Sequence, residues 1–487
     1  MPERMLIAAW LDRPPGKTPI TQSVFRERNV PIAFHRAHAS PLSHIPNAGW
    51  GAGYSRLIWA FREEYCGRIT IDLPKIHEKL GSIVRIGPNE LSFYSIDIYD
   101  LIHSVNSGFA KDPRNYGEFV QDGHPALFSI TDPEEHSKRR RILGQLFSRS
   151  KIGNLEGLML HHVNEFVRAV GQQQRPFDVG PACRALEADI ISEFSFGEAL
   201  NAIRSWSKGH DTPIVSKNDK KATFMPLWTS EAWVKNKDPE RKSPFPNLIN
   251  VMVSAGVPTQ TALSEAKENL GPGTDTTSAS LAHILYALSR NTTYQKKLYQ
   301  DLARLGFPTD MSALESIPRL KACVKEGIRW AGAAAAMLPR VVPEGGVELC
   351  GKFIPEGTVI TSSPIWYLRD KYAFPNPELF DPYRWIDETG TILTENALRD
   401  KFYVPFSKGP NICIGNHFSY FELFLSLAKT VENFVLIHAD EDGGGLAQAA
   451  GLINSDWQPV QLPKRKEWVA AVVTEPLRVT AIPRTRE

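Results

Sequence analysis

The sequence has few cysteines, almost no net charge and no long apolar run. Its five cysteines, Cys66, Cys183, Cys323, Cys350 and Cys413, include no C-x-x-C pair, which excludes a zinc ribbon or a dithiol centre. Their odd number and wide scatter also exclude a disulfide framework, and a reducing compartment is the simplest reading. A formal charge of +2 is too small for the electrostatic footprint of a nucleic-acid binder. The apolar stretch Met5 to Leu11 is too short to cross a bilayer or to act as a signal peptide. No later segment supplies the roughly 18 uninterrupted apolar residues that a membrane helix needs, so the chain as written reads as soluble or peripheral.

What is present builds a folded body. Hydrophobic residues make up 42% and charged residues 23%, enough for a substantial core, and the length suits one large catalytic domain as well as two or three average ones. Residues 1–75, rich in Pro, Arg and aromatics without a sustained period, read as an arm packed on a single domain over 76–487. Strand signals at Ser82–Pro88 and Leu91–Tyr94 open that domain. Helical patterns follow from Pro133, over 154–170, over 182–196 and from Thr259 to Arg290, where Leu281, Ile284, Leu285 and Leu288 form an apolar face. Residues 201–247 mix Gly, Pro, Lys and Trp, as a surface lid would. After Pro339 the chain turns strand-like, and a last helix from about Asn416 to Phe434 is apolar nearly all round, which implies burial on most sides.

Several constellations could carry chemistry. In F-S-K-G-P-N-I-C-I-G, Phe406 to Gly415, a tight loop delivers Cys413 to the start of that last helix. Amide hydrogens and the helix dipole there stabilise a thiolate; the alternative is an ordinary buried cysteine. In G-P-G-T-D-T-T, Gly271 to Thr277, two glycines and an interior proline would cost a regular helix roughly 5 kcal/mol. The helix is therefore expected to open at Pro272, setting Asp275, Thr276 and Thr277 beside a polar notch. Two helices joined at a break, with Asp275 as N-cap, are the other reading. Glu326 and Arg329, three apart on one helical face, can pair. Arg384, in F-D-P-Y-R-W, either stacks on the surface or is buried against a carboxylate or carbonyl. Lys138 to Arg141 is either a solvated face or a patch that steers an acidic partner. Asn291, in N-T-T, matches a glycosylation acceptor that a cytosol-facing enzyme would leave unmodified.

Taken together and in this order, these pieces resemble the cytochrome P450 family, the haem-thiolate monooxygenases. The signature F-x-x-G-x-R-x-C-x-G matches Phe406, Gly409, Cys413 and Gly415, and E-x-x-R matches Glu326 and Arg329. The aromatic-Pro-Arg segment matches Phe380, Pro382 and Arg384, and the oxygen-binding helix motif matches Gly273, Asp275, Thr276 and Thr277. The surrounding sequence is most similar to filamentous-fungal secondary-metabolism members, including the trichodiene oxygenase type.

The resemblance implies a mainly α fold with small β-sheets, its haem b buried between the long oxygen-binding helix and the helix after the cysteine loop. It implies that Cys413 is the axial thiolate, that Glu326, Arg329 and Arg384 form a bracing triad, and that Asp275 and Thr276 relay protons. His136, Arg140, Arg340 and Asn411 fall where propionate ligands are expected. Segments 103–125, 205–245, 331–341 and 445–457 would line a pocket for a lipophilic, terpenoid- or polyketide-like molecule. Electrons would come from NADPH through an acidic flavoprotein, NADPH–cytochrome P450 reductase, docked on Lys138–Arg141 and Lys408. The enzyme is expected to be a monomer with peripheral membrane contact, on the cytoplasmic face of the endoplasmic reticulum or in the cytoplasm, and to bind no nucleic acid. Two departures stand out: Asn411 replaces the usual Arg or His two residues before the cysteine, and Pro272 replaces a usual Ala or Gly. They keep two other readings open, a haem-thiolate isomerase or dehydratase without oxygen activation, and a haem- or ligand-binding protein without turnover.

Overall fold

The computed structural model describes residues 32–210, 244–439 and 457–485. Two short strands, β1 (Ile83–Gly87) and β2 (Glu90–Phe93), pair antiparallel. Fully buried Arg85 of β1 donates to the carbonyls of Arg36 and Ala37 and to the Ser40 hydroxyl, which pins the preceding segment to the sheet. Next come α1 (Ile96–Ile102), capped by the Ser95 side chain, and β3 (Ala110–Lys111). The basic helix α2 (Pro133–Phe147) begins with Pro at its first position, and Asp132 accepts from the Glu135 amide, the arrangement that favours a helix start.

Helix α3 (Glu156–Gly171) leads to β4 (Phe177–Asp178) and α4 (Val179–Phe196). Then come the 31-residue α5 (Thr259–Ser289) and α6 (Pro318–Ala331), strands β5 (Arg340–Val341) and β6 (Val359–Thr361), α7 (Asn416–Asn433), and strands β7 (Phe434–His438) and β8 (Arg478–Pro483). The five-stranded sheet runs β1-β2-β6-β5-β3 and the three-stranded sheet β7-β8-β4. The main apolar core is helical, built from α2 to α7. A smaller core lies between the five-stranded sheet and α1.

The expected opening at Pro272 does not occur: α5 is continuous from Thr259 to Ser289. Neighbouring elements hold the turn that proline weakens. Upstream, Glu265 accepts from the Leu127 amide at 3.0 Å and Glu268 from the Phe128 amide at 2.9 Å, which anchors that turn on the 126–130 loop. Downstream, the Thr274 hydroxyl donates to the Leu270 carbonyl at 2.7 Å and Thr276 to that of Pro272 at 3.0 Å. Gly273 has a packing job, since a Cβ there would come within 2.5 Å of Ile191 Cγ1 on α4. Asp275 is therefore not an N-cap.

Among the described residues no helix is long and apolar enough to cross a membrane. All five cysteines are free. The expected lid is described only over 201–210 and from residue 244, with Ala202–Ser207 helical. The rest of it, and most of the expected 445–457 pocket segment, lies outside the described residues, as do residues 1–31 of the arm.

Candidate active site

The Phe406–Gly415 loop is shaped from behind by α1. Ser407 has a φ of 61° and Gly409 one of 66°, both left-handed. A Cβ on Gly409 would lie 1.8 Å from the His103 carbonyl oxygen, so only glycine fits. The Ser407 hydroxyl lies 2.7 Å from that of Tyr99, and Lys408 pairs with Asp100 at 2.5 Å. The Cys413 amide donates to the Phe406 carbonyl at 2.9 Å, which presents the sulfur just before α7. Cys413 is exposed to solvent. Burial pushes the thiol up, while the Gly415 amide and the Arg140 charge pull it down.

Beside this loop, cations crowd together. Arg140 Nη1 donates to the Ile412 carbonyl at 2.7 Å. Arg340 of β5 and Lys111 of β3 are cross-strand partners, 2% and 7% exposed. Like charges directly opposite on a sheet are destabilising. Arg340 donates to the Tyr116 hydroxyl at 2.7 Å, and Lys111 to the carbonyls of Leu127, Phe128 and Ile130. Burial and then Arg340 lower Lys111 to about 7. Burial, followed by Lys111, Arg140 and Arg340, lowers His136 to about 4. The result is a cluster of cationic and imidazole groups next to the Cys413 loop. Asn411 is half-buried in the turn before Cys413. Lys111, Tyr116 and His103 escape sequence inspection, because their partners arrive by strand pairing or through the backbone.

On α5, Asp275 lies 2.6 Å from Arg184 of α4. Burial raises this carboxyl and Arg184 opposes the rise. Pro272 is exposed and Thr276 half-exposed, whereas Thr274 and Thr277 are buried. Thr277 lies 3.0 Å from Ser419 on α7, tying the long helix to the one that follows the cysteine. Behind them Glu187 of α4 and Glu422 of α7 form a buried carboxyl pair.

Glu326, Arg329 and Arg384 do converge. Glu326 and Arg329 are fully buried, and the Glu326 carboxylate accepts from Arg329 Nε and Nη2 at 2.8 Å, Arg384 Nε at 3.1 Å, the Asp381 amide at 3.0 Å and Trp385 Nε1 at 3.1 Å. The Trp385 ring meets Tyr403 at 4.9 Å, Tyr403 and Tyr420 join through their hydroxyls at 3.1 Å, and Tyr420 meets Phe406 at 5.4 Å. The triad thus connects to the cysteine loop through aromatic contacts.

One expectation is corrected, and the expected lack of glycosylation at Asn291 gains a structural reason. The basic run is not one patch, since successive residues of a helix point about 100° apart. Lys138 pairs with Glu134, buried Arg139 with Glu265, and Arg140 turns to the cysteine loop. Asn291 is no glycosylation site: it is 3% exposed, and its amide bonds the carbonyls of Ala287 and Gln458.

A thiol in a fixed loop beside clustered cations, on a helical body with small sheets, is the arrangement that a haem-thiolate site requires. The Cytochrome P450 family model matches residues 254–446. Cytochrome P450 monooxygenase macH of Penicillium terrestre is 29% identical over 82% of this chain and 87% of its own. The monooxygenases orf2 of Aspergillus niger and sol6 of Alternaria solani are 25% and 26% identical, over 84% and 79% of this chain and 89% and 92% of theirs. Over these spans the chain is similar to the cytochrome P450 family, and the fungal relatives it matches bear the name cytochrome P450 monooxygenase.

Proposed function

We propose that this chain inserts one oxygen atom from dioxygen into a lipophilic, terpenoid- or polyketide-like metabolite, with electrons passed from NADPH by a flavoprotein reductase. In this reading Cys413 would supply the thiolate ligand to haem, and His136, Arg140 and Arg340 would hold its carboxylates, with Asn411 donating a hydrogen bond beside them. When bound, haem supplies the oxygen activation that a thiolate ligand favours. Arg140 carries the reading, because its guanidinium reaches the Ile412 carbonyl and so fixes a cation one residue from Cys413.

The chain's own residues supply protons and shape. Asp275 is held by Arg184, and a turn of its side chain away from that guanidinium frees the carboxylate to take up a proton from solvent and pass it on. The Thr276 hydroxyl, parked on the Pro272 carbonyl, has a lone pair and a proton to offer as a relay. Glu326, Arg329 and Arg384 keep the cysteine loop in place. The segment A-G-A-A-A-A-M-L at 331–338 has almost no polar side chain, which favours a lipophilic substrate. Lys408 is already paired with Asp100, so a reductase would have to displace Asp100 to use it.

The carbon monoxide difference spectrum of the reduced protein tests the ligand: a thiolate-type shift is expected, lost in Cys413→Ala, and haem binding indifferent to that change would refute it. Asn411→Arg adds a charge beside the propionates and is expected to slow haem transfer to an acceptor protein several-fold. Equal or faster transfer would rule out the propionate role of Asn411.

A further inference from the structure

Helix α3 carries H-H-V-N-E at His161 to Glu165, a run that the oxygenase reading leaves unused. His162 is 1% exposed. Its Nε2 lies 2.6 Å from Glu193 Oε2 on α4, so Nε2 carries the proton donated to that carboxylate and Nδ1 keeps a bare lone pair. Nδ1 is buried with no hydrogen-bond partner. An unsatisfied buried acceptor is costly, so a ligand there would relieve a penalty.

The groups facing that lone pair are suited to supply the rest of a site. Glu165 Oε2 lies 3.9 Å from His162 Nδ1 and 3.9 Å from His161 Nε2. The three ligand atoms all fall within 4.8 Å of one another. This follows from helical spacing, because Glu165 is three residues from His162 and four from His161. Bonds of about 2.1 Å at a tetrahedral angle need ligand atoms roughly 3.4 Å apart. Small rotations of His161 and Glu165, 53% and 41% exposed, close that gap. Arg168 reaches the other Glu165 oxygen at 3.7 Å and leaves Oε2 free. Glu193 and Asp189 add two carboxyl groups from α4.

We propose that His161, His162 and Glu165 bind one divalent transition-metal ion of the zinc class, with Glu193 orienting His162. Two imidazole nitrogens and one carboxylate oxygen are a zinc donor set that leaves a position for water. The carboxylate behind the imidazole fixes its tautomer and raises its basicity. Through the His162–Glu193 bond the ion ties α3 to α4.

The test is calorimetric titration of the haem-loaded full chain with zinc chloride near neutral pH, beside His161→Ala, Glu165→Gln and Glu193→Gln. The first two change exposed side chains and are expected to leave the fold intact. Wild type should take up one ion, each ligand variant should bind at least tenfold more weakly, and Glu193→Gln about 10- to 100-fold more weakly. Zinc should also raise the thermal midpoint of wild type but not of His161→Ala. No saturable binding by wild type, or titrations that His161→Ala and Glu165→Gln leave unchanged, would overturn the proposal.

Discussion

Glu326→Gln should destabilise the folded chain by about 3–5 kcal/mol, the range for breaking one partner out of a buried ion pair. The carboxylate accepts five hydrogen bonds, two from Arg329 and one each from Arg384, Asp381 and Trp385. Burial alone would raise its pKa, but the charges of Arg329 and Arg384 hold it below the usual carboxylate range. Glutamine keeps the volume and removes the charge, leaving two buried guanidinium groups with Asp381 as their nearest remaining carboxylate. Arg329 cannot turn elsewhere: its remaining N–H groups already serve the carbonyls of Leu368, Pro377 and Leu379. Arg384→Gln should cost less, because that side chain makes a single bond to Glu326 and keeps some solvent contact. Denaturant midpoints of the haem-loaded proteins check the order. A Glu326→Gln protein within about 1 kcal/mol of wild type would show that the triad does not brace the core. A group with a lowered folded pKa stabilises above its unfolded value and loses that contribution as pH falls. The difference between wild type and the variant should therefore shrink in acid.

Some of this site is visible in the sequence because its chemistry uses fixed local spacings. Glu326 and Arg329 sit on one helical face three residues apart, and Cys413 lies between two glycines at a helix start. Arg384 could not be decided between surface and core, since its partner is 58 residues away. Lys111 and Arg340 meet only through strand register, and Arg184 reaches Asp275 only because α4 packs along α5. No local pattern marks either pair. The helix opening expected at Pro272 fails for the converse reason: propensity is a weak prior, and packing on Ile191 and the 126–130 loop overrides it.

The Glu187–Glu422 pair should make the protein less stable as pH rises, and Glu187→Gln should remove most of that slope. The two carboxyls come from α4 and α7 and are 0% and 2% exposed. Burial is the main cause of the rise of Glu187 to about 8, partly offset by its hydrogen bond with Glu422. Burial and then the Glu187 charge raise Glu422 well above its ordinary value of 4.5. The folded chain therefore keeps protons that the unfolded chain has released between about pH 4.5 and 8. In that window stability falls by up to about 1.4 kcal/mol per pH unit for each retained proton. This is the opposite sign to Glu326, an equally buried residue, and the difference lies in the partners: two arginines in one case, a second carboxyl in the other. Lys111, lowered to about 7, opposes the slope above that pH, but it does so in both proteins and cancels in their difference. Glutamine preserves the volume and donates an N–H to Glu422 without a titrating proton. Unfolding midpoints of the haem-loaded wild type and Glu187→Gln, followed from about pH 6 to 8, should diverge by roughly 2–3 kcal/mol in favour of the variant. Parallel profiles would mean that the two carboxyls do not share a proton in the folded state.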